Sequence, residues 1–158
     1  MAFACAPTEV AFVDTAPYRF AETFHIDQPA AEVWGQLTGD NALHWCRAIT
    51  RLTWTSPRPF AVGTTRSVRV LGMIGLDERY DVWEEGRRKA FVGLQCNLPL
   101  LSRVAEEYIV EPVTDSSSTF NWKIGVEPSG AGKPGMPLNK QIFASLFKDT
   151  RKYFAAMT

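Results

Sequence analysis

Arg66 and Glu78 are the residues whose types and spacing most directly suggest chemistry. They sit in two alternating segments, 64–71 and 76–84, separated by the turn Gly72-Met73-Ile74-Gly75. In a strand every second side chain shares a face. If Val68 and Val70 face inward, Arg66 does too; if Leu76, Tyr80 and Val82 face inward, Glu78 joins them. A hairpin closed near Gly72 to Gly75 then sets the two charges opposite or diagonal, within bridging reach. Burying an unpaired ion costs several kcal/mol, so this arrangement implies a mutual pair or a polar ligand group between them. A register one residue away places both at the rim or outside, and the residues leave that choice open.

Glu78, Tyr80, His44 and Glu106 are the side chains that could move protons in an acid–base reaction. No two of them fall at a spacing that demands chemistry, so Glu78, Tyr80 and His44 stand only as weak catalytic candidates. The chain has no Gly-x-Ser-x-Gly elbow, no His-Glu-x-x-His helix and no phosphate-cradling glycine loop. His44-x-Cys46 offers two metal ligands, but no second pair accompanies them and the other histidine is His25. No metal and no cofactor is implied.

Composition narrows the partners. Lys+Arg of 17 balance Asp+Glu of 17, which argues against a nucleic-acid surface. The basic run Arg87-Arg88-Lys89 follows Glu84-Glu85-Gly86 and reads as a solvated hairpin turn. The N-terminal stretch lacks a secretory pattern, and no apolar run approaches the roughly 20 residues that span a bilayer. Cys5, Cys46 and Cys96 are odd in number and widely spaced, so they suggest no disulfide framework. A cytoplasmic location is the expectation. Oligomeric state is left open.

The elements that must position these groups follow from periodicity and punctuation. Residues 18–26 alternate as a half-buried strand. Asp27 is a plausible N-cap, and Ala30, Val33, Trp34 and Leu37 mark one helical face until Gly39 stops it. Asp40 can cap a second short helix carrying Leu43, His44 and Trp45. Six strand segments follow, at 49–55, 64–71, 76–84, 89–96, 102–113 and 119–126, each bounded by hairpin-length turn chemistry. From Leu138 onward, Ile142, Phe143, Leu146, Phe147 and Phe154 recur at helical spacing. Residues 128–137, rich in proline and glycine, read as a mobile loop. The expectation is one α+β domain over 18–158, with 1–17 as an extension. A curved seven-stranded antiparallel sheet wraps a long C-terminal helix, and two short helices follow the first strand.

Alternation also nominates a cavity wall. Phe120, Trp122, Ile124 and Val126 share one face of the last strand; Val104, Tyr108 and Val110 are the buried set of the strand before it; Leu52 and Trp54 serve the second strand. Buried indole and phenol groups want hydrogen-bond partners. The expected ligand-binding set is therefore Trp45, Trp54, Arg66, Glu78 and Tyr80, together with Tyr108, Trp122, Phe143 and Phe147.

The order of these segments resembles the START/Bet v 1-like superfamily, including bacterial polyketide cyclase/dehydrase-like proteins. The resemblance is carried by Ile26-Asp27-Gln28-Pro29-Ala30-Ala31-Glu32-Val33-Trp34, by Trp45, by Val62-Gly63-Thr64, and by Glu78-Arg79-Tyr80-Asp81-Val82-Trp83-Glu84. It covers roughly residues 18 to 156 and implies a helix-grip fold with a cavity for a hydrophobic ligand. None of these residues is a catalytic signature. The implied function is binding of a small hydrophobic or aromatic molecule such as a lipid or polyketide-like metabolite; the glycines Gly130, Gly132 and Gly135, beside the helix that forms one wall, make residues 128–137 the expected gate. One alternative is a cyclase, aromatase or dehydratase using acid–base groups in the cavity. Another is a protein-interaction module of the kind found in toxin–antitoxin settings.

Overall fold

In the computed structural model, which describes residues 2–157, seven antiparallel strands form a curved sheet around a C-terminal helix. The strands are β2 (Tyr18–Ile26), β3 (Ile49–Trp54), β4 (Thr65–Val70), β5 (Ile74–Glu84), β6 (Arg88–Cys96), β7 (Leu101–Thr114) and β8 (Ser117–Pro128), after a two-residue β1 (Phe3–Ala4). Strands β3 to β8 run as a meander, and β2 closes onto β8, giving the order β2-β8-β7-β6-β5-β4-β3. The turn residues explain the meander, because each glycine, proline or serine cluster stops one strand and returns the chain beside it.

Helix α1 (Ala30–Thr38) joins β2 to β3, and α2 (Met136–Ala155) lies along the inner face of the sheet. The apolar stripe of α2 packs Ile142, Leu146, Phe147 and Phe154 into the main core with Phe24, Phe120 and Trp122. No helix among the described residues is long and apolar enough to cross a membrane.

Several local expectations change. Pro29, not Asp27, occupies the N-cap of α1, without a side-chain cap. The second short helix is instead a run of turns at residues 40–45, where His44 N–H donates to Asn41 O and Cys46 N–H to Leu43 O. Leu43 has φ 59°, a left-handed conformation that interrupts helical propagation. Helix α2 begins two residues earlier than expected, after a 3-10 turn at Lys133–Gly135. A bulge between Tyr80 and Val82 shifts the register of β5 against β6. Trp83 therefore takes the inward position expected of Val82, packing against Trp34, Trp54 and Tyr80.

The segment before residue 18 is part of the packed structure. Strand β1 pairs with the far end of β6, beyond the stretch where β6 pairs with β7. A 3-10 turn at Val10–Asp14 then buries Phe12 and Val13, with Ala16, against Val92 and Ala105 on the outer face of the sheet. Gly125 permits this approach, since a Cβ there would sit 2.9 Å from Phe12 O and from Val13 Cα. Phe12→Ala is expected to destabilise the protein by about 3 kcal/mol, read as a lowered urea midpoint with an unchanged slope.

Candidate functional site

Between the inner face of the sheet and α2 lies a hollow of about 90 Å³. Its outer end is lined by half-buried apolar side chains: Val70 and Ile74 from the β4–β5 hairpin, Leu100 before β7 and Leu101 at its start, and Phe143 from α2. Its inner end is polar, with Arg66, Glu78, Glu106, Tyr108 and Trp122 on the wall. Leu43, held in its left-handed conformation, also lines it.

Strand register creates the polar end. Arg66 pairs directly across from Glu78 in the β4–β5 ladder. Both side chains are 2% exposed, and Arg66 Nε donates to Glu78 Oε2 at 2.7 Å. The guanidinium also lies 5.3 to 5.5 Å from the ring centroids of Trp54, Tyr80 and Phe91, a cation–π setting that offsets part of its desolvation. Burial lifts the Glu78 carboxyl above its ordinary value, against the pull of Arg66. Arg66 Nη1 is buried with no hydrogen-bond partner among the described residues.

Glu106 is the second carboxyl of the hollow. Trp122 Nε1 donates to its Oε1 at 2.8 Å, and the Tyr108 hydroxyl donates to the same oxygen at 3.0 Å. Burial, and next the charge of Glu78, push its pKa up to about 7, while those two hydrogen bonds and Arg66 pull the other way. A carboxyl that exchanges its proton near neutrality can act as either donor or acceptor.

Behind this wall sits Lys89, fully buried although its neighbours in sequence suggested a solvated turn. Its Nζ donates to Leu37 O at 2.6 Å and lies 3.4 Å from the Tyr80 hydroxyl. Four ring centroids, of Trp54, Tyr80, Trp83 and Tyr108, lie within 5.9 Å of it. Burial first, then Arg66, push the Lys89 ammonium well below its ordinary value. Strand parity was the missed signal, since Lys89 shares a face with the core residue Phe91.

Of the sequence-predicted ligand-binding residues, Arg66, Glu78, Tyr108, Trp122 and Phe143 line the hollow, whereas Trp45, Trp54, Tyr80 and Phe147 do not. Trp45 stacks on Tyr153 with centroids 4.2 Å apart and donates to Thr150 Oγ1, fastening the turn segment to α2. Trp54 donates to Gly39 O and stacks on Phe60. Phe147 packs edge-on against Trp122 and Phe24, and Tyr80 lies with Lys89 behind the wall. Among the acid–base candidates, His44 is exposed, with its ring against Trp45 and Tyr153 and its Nδ1 2.8 Å from Asn41 O. Its neighbour Cys46 faces Leu146 and Thr150 instead, and burial pushes that thiol up to about 12.

A family model described as polyketide cyclase / dehydrase and lipid transport matches residues 17–156. Uncharacterized proteins of Mycobacterium tuberculosis and Mycobacterium bovis are 30% identical over 156 residues, covering 96% of this chain and 93% of each relative. A START superfamily protein from Mycobacterium smegmatis superposes with a TM-score of 0.70 at 12% identity, covering 89% of this chain and 99% of that one. The major latex-like protein 151 of Panax ginseng gives 0.63 at 12% identity over 87% of this chain and 97% of its own. At such identities the structural likeness is one of fold.

The raised Glu106 carboxyl has a direct consequence for stability. Its folded-state pKa of about 7 exceeds the ordinary 4.5, so the native state binds more protons than the unfolded state between those values. Stability attributable to Glu106 is therefore lost as pH rises through that window, by roughly 3 kcal/mol in total. Glu106→Gln keeps an acceptor for Trp122 and Tyr108 without the charge. Urea unfolding is expected to show it more stable than wild type at pH 8, with the advantage shrinking towards pH 4.5.

Proposed function

The chain belongs to the polyketide cyclase / dehydrase and lipid transport family, and on that footing we propose that it binds one small, mostly hydrophobic molecule between the sheet and α2. The observation that carries this reading is a hollow with an apolar wall and a few convergent polar groups at its inner end, the usual make-up of a small-molecule site. Its volume limits the guest. About 90 Å³ is less than the roughly 150 Å³ of a cavity that admits benzene and well below the roughly 300 to 1,000 Å³ of drug-sized sites. A single ring or a short chain is the scale that fits with slight widening, and anything larger requires the outer end to part.

The outer end is built to part along one seam. Leu100 and Leu101 face the hollow, and their loop is clasped by the next one: Ser129 N–H donates to Leu100 O, and Ser129 Oγ donates to Pro99 O at 2.5 Å. Gly132 lies so close to Leu100 that a Cβ there would be 1.9 Å from its carbonyl oxygen. The gate expected at 128–137 is accordingly proposed as a two-loop clasp, in which residues 129–132 hold residues 99–101 over the hollow.

Acid–base catalysis is the second reading, and Glu106 is the observation that favours it. A carboxyl lining the hollow and titrating near 7 suits proton transfer to or from a bound carbonyl compound. It displaces His44 and Tyr80 as the group of choice, since neither lines the hollow. With Cys5, Cys46 and Cys96 all free thiols, a reducing compartment such as the cytosol is the proposed setting.

Single-ring and six-carbon compounds are expected to raise the melting temperature, a ligand at 100 times its dissociation constant adding about 2.7 kcal/mol. Val68→Phe, which fills the hollow from β4, is expected to abolish that rise while the protein still melts cooperatively. Hydrogen exchange should slow at 99–101 and 129–132 on binding. A melting temperature indifferent to every such compound would remove the binding reading.

A further inference from the structure

At the inner end of the hollow, Arg66 and Glu106 each keep polar atoms without a hydrogen-bond partner among the described residues, and together they specify a head group. On Arg66, Nε is engaged by Glu78, Nη1 is buried without a hydrogen-bond partner among the described residues, and the outer edge of the guanidinium is left unused. On Glu106, Oε2 is left over because Trp122 and Tyr108 both donate to Oε1. Both residues line the hollow. We propose that this end is a carboxyl-binding site, and that the guest is an apolar monocarboxylic acid whose carboxylate accepts from the edge of the Arg66 guanidinium that Glu78 leaves free and lies against Glu106 Oε2.

This identification rests on the reading of the hollow as a ligand site. A guanidinium can serve two carboxylates from different edges of its planar fork, and Glu78 occupies only one. Two carboxyl groups in contact hold one proton between them, because both cannot ionise at close range. With Glu106 protonated, the site presents donors of two kinds, guanidinium N–H and carboxyl O–H, which suit the two oxygens of one carboxylate. An alcohol or a ketone brings a single oxygen and leaves one donor unmet, and an amine meets the Arg66 cation.

The charged and titratable groups around Glu106 agree with a carboxylate guest only while Glu106 keeps its proton. Strand β4 supplies Arg66, β5 supplies Glu78 and Tyr80, β6 supplies Lys89 from behind the wall, and β7 supplies Tyr108. The turn before β3 adds the neutral thiol of Cys46. Helix α2 contributes Asn139, Ile142, Phe143 and Leu146 to the hollow, none of them charged. Ionised Glu106 would place a second uncompensated negative charge beside the guest. Binding should therefore be coupled to retention of one proton.

Isothermal titration with two matched pairs, benzoate against toluene and hexanoate against 1-hexanol, tests this at pH 6 and pH 8.5. The acids are expected to bind at least about tenfold more tightly than their neutral partners at pH 6, and to weaken by about tenfold per pH unit above 7. Glu106→Gln should equalise acid binding at the two pH values. Arg66→Met alone strands Glu78, so the double variant Arg66→Met/Glu78→Met is used. It should lose the preference for acids while still taking up toluene.

If the acids bind no better than toluene and 1-hexanol at pH 6, the carboxyl site is overturned and the hydrophobic hollow stands. If the acid preference survives unchanged in the double variant, or its pH dependence survives in Glu106→Gln, the carboxyl group sits elsewhere and the assignment fails. If none of the four compounds binds, the reading of the hollow as a ligand site falls with it.

Discussion

A guanidinium and a carboxylate held 2.7 Å apart and nearly sealed from water set the terms for everything around them. Their attraction repays desolvation only if the geometry is good and the remaining donors and acceptors are met. The β4–β5 register provides the first condition by placing Arg66 and Glu78 directly opposite. The second is met incompletely, because Nη1 has no partner among the described residues. Filling this end of the barrel with apolar side chains would leave that nitrogen buried in hydrocarbon, a costly outcome. The inner end of the hollow is thus polar by construction, and the sheet curls around a space that its own side chains cannot close.

The neighbouring elements hold this pair in place by satisfying one another. Helix α1 ends with free carbonyl groups, as every helix does, and side chains of β6, β3 and the β3–β4 loop supply donors to them. Lys89 Nζ reaches Leu37 O, Arg58 Nη2 reaches Thr38 O, and Trp54 Nε1 reaches Gly39 O. The positive charge of Arg58 at this end also suits the negative pole of the helix. Trp54 and Tyr80 lie against both Lys89 and Arg66, so two shared rings brace both the helix terminus and the ion pair. Glu85 extends the brace by accepting from Trp34 and Trp83. The wall behind the hollow is therefore stiff, whereas its outer end is lined by half-buried apolar side chains.

Much of this was legible before any coordinates, for reasons that differ by residue. The meander followed from turn chemistry, and the shared face of Val68, Val70 and Arg66 followed from period two. Parity could not fix which face was inner, and only the pairing of β4 with β5 resolved that for Arg66 and Glu78. The bulge at Asp81 was invisible, because an extra residue in a strand leaves no compositional mark; it moved Trp83 inward in place of Val82. Lys89 was hidden by Arg87 and Arg88, since three basic residues in a row read as surface. Glu106 shares its face with Tyr108 by simple alternation, yet its proximity to Trp122 depends on the β7–β8 register. Trp45, Trp54 and Phe147 were grouped with the cavity wall because aromatic residues suit core and wall alike. Each is drawn instead to partners outside the hollow: Trp45 to Tyr153, Trp54 to Phe60 and Phe147 to Phe24.

Aromatic crowding explains why the hollow is small and where it can grow. The far side of the interior is packed by Tyr80, Trp83, Trp54 and Phe60, whose ring centroids lie 4.4 to 6.3 Å apart, and close-packed interiors resist dilation. Expansion in that direction would also pull Lys89 and Trp54 from the end of α1. The opposite side consists of half-buried aliphatic side chains on a hairpin and two loops, where displacement exposes some apolar surface and a few loop hydrogen bonds. The lesser cost lies there. A guest would therefore enter with its apolar body following its head group, the polar atoms travelling furthest from solvent and the hydrocarbon filling the outer end, because the stiff wall and the unmet donors occupy the same end of the hollow.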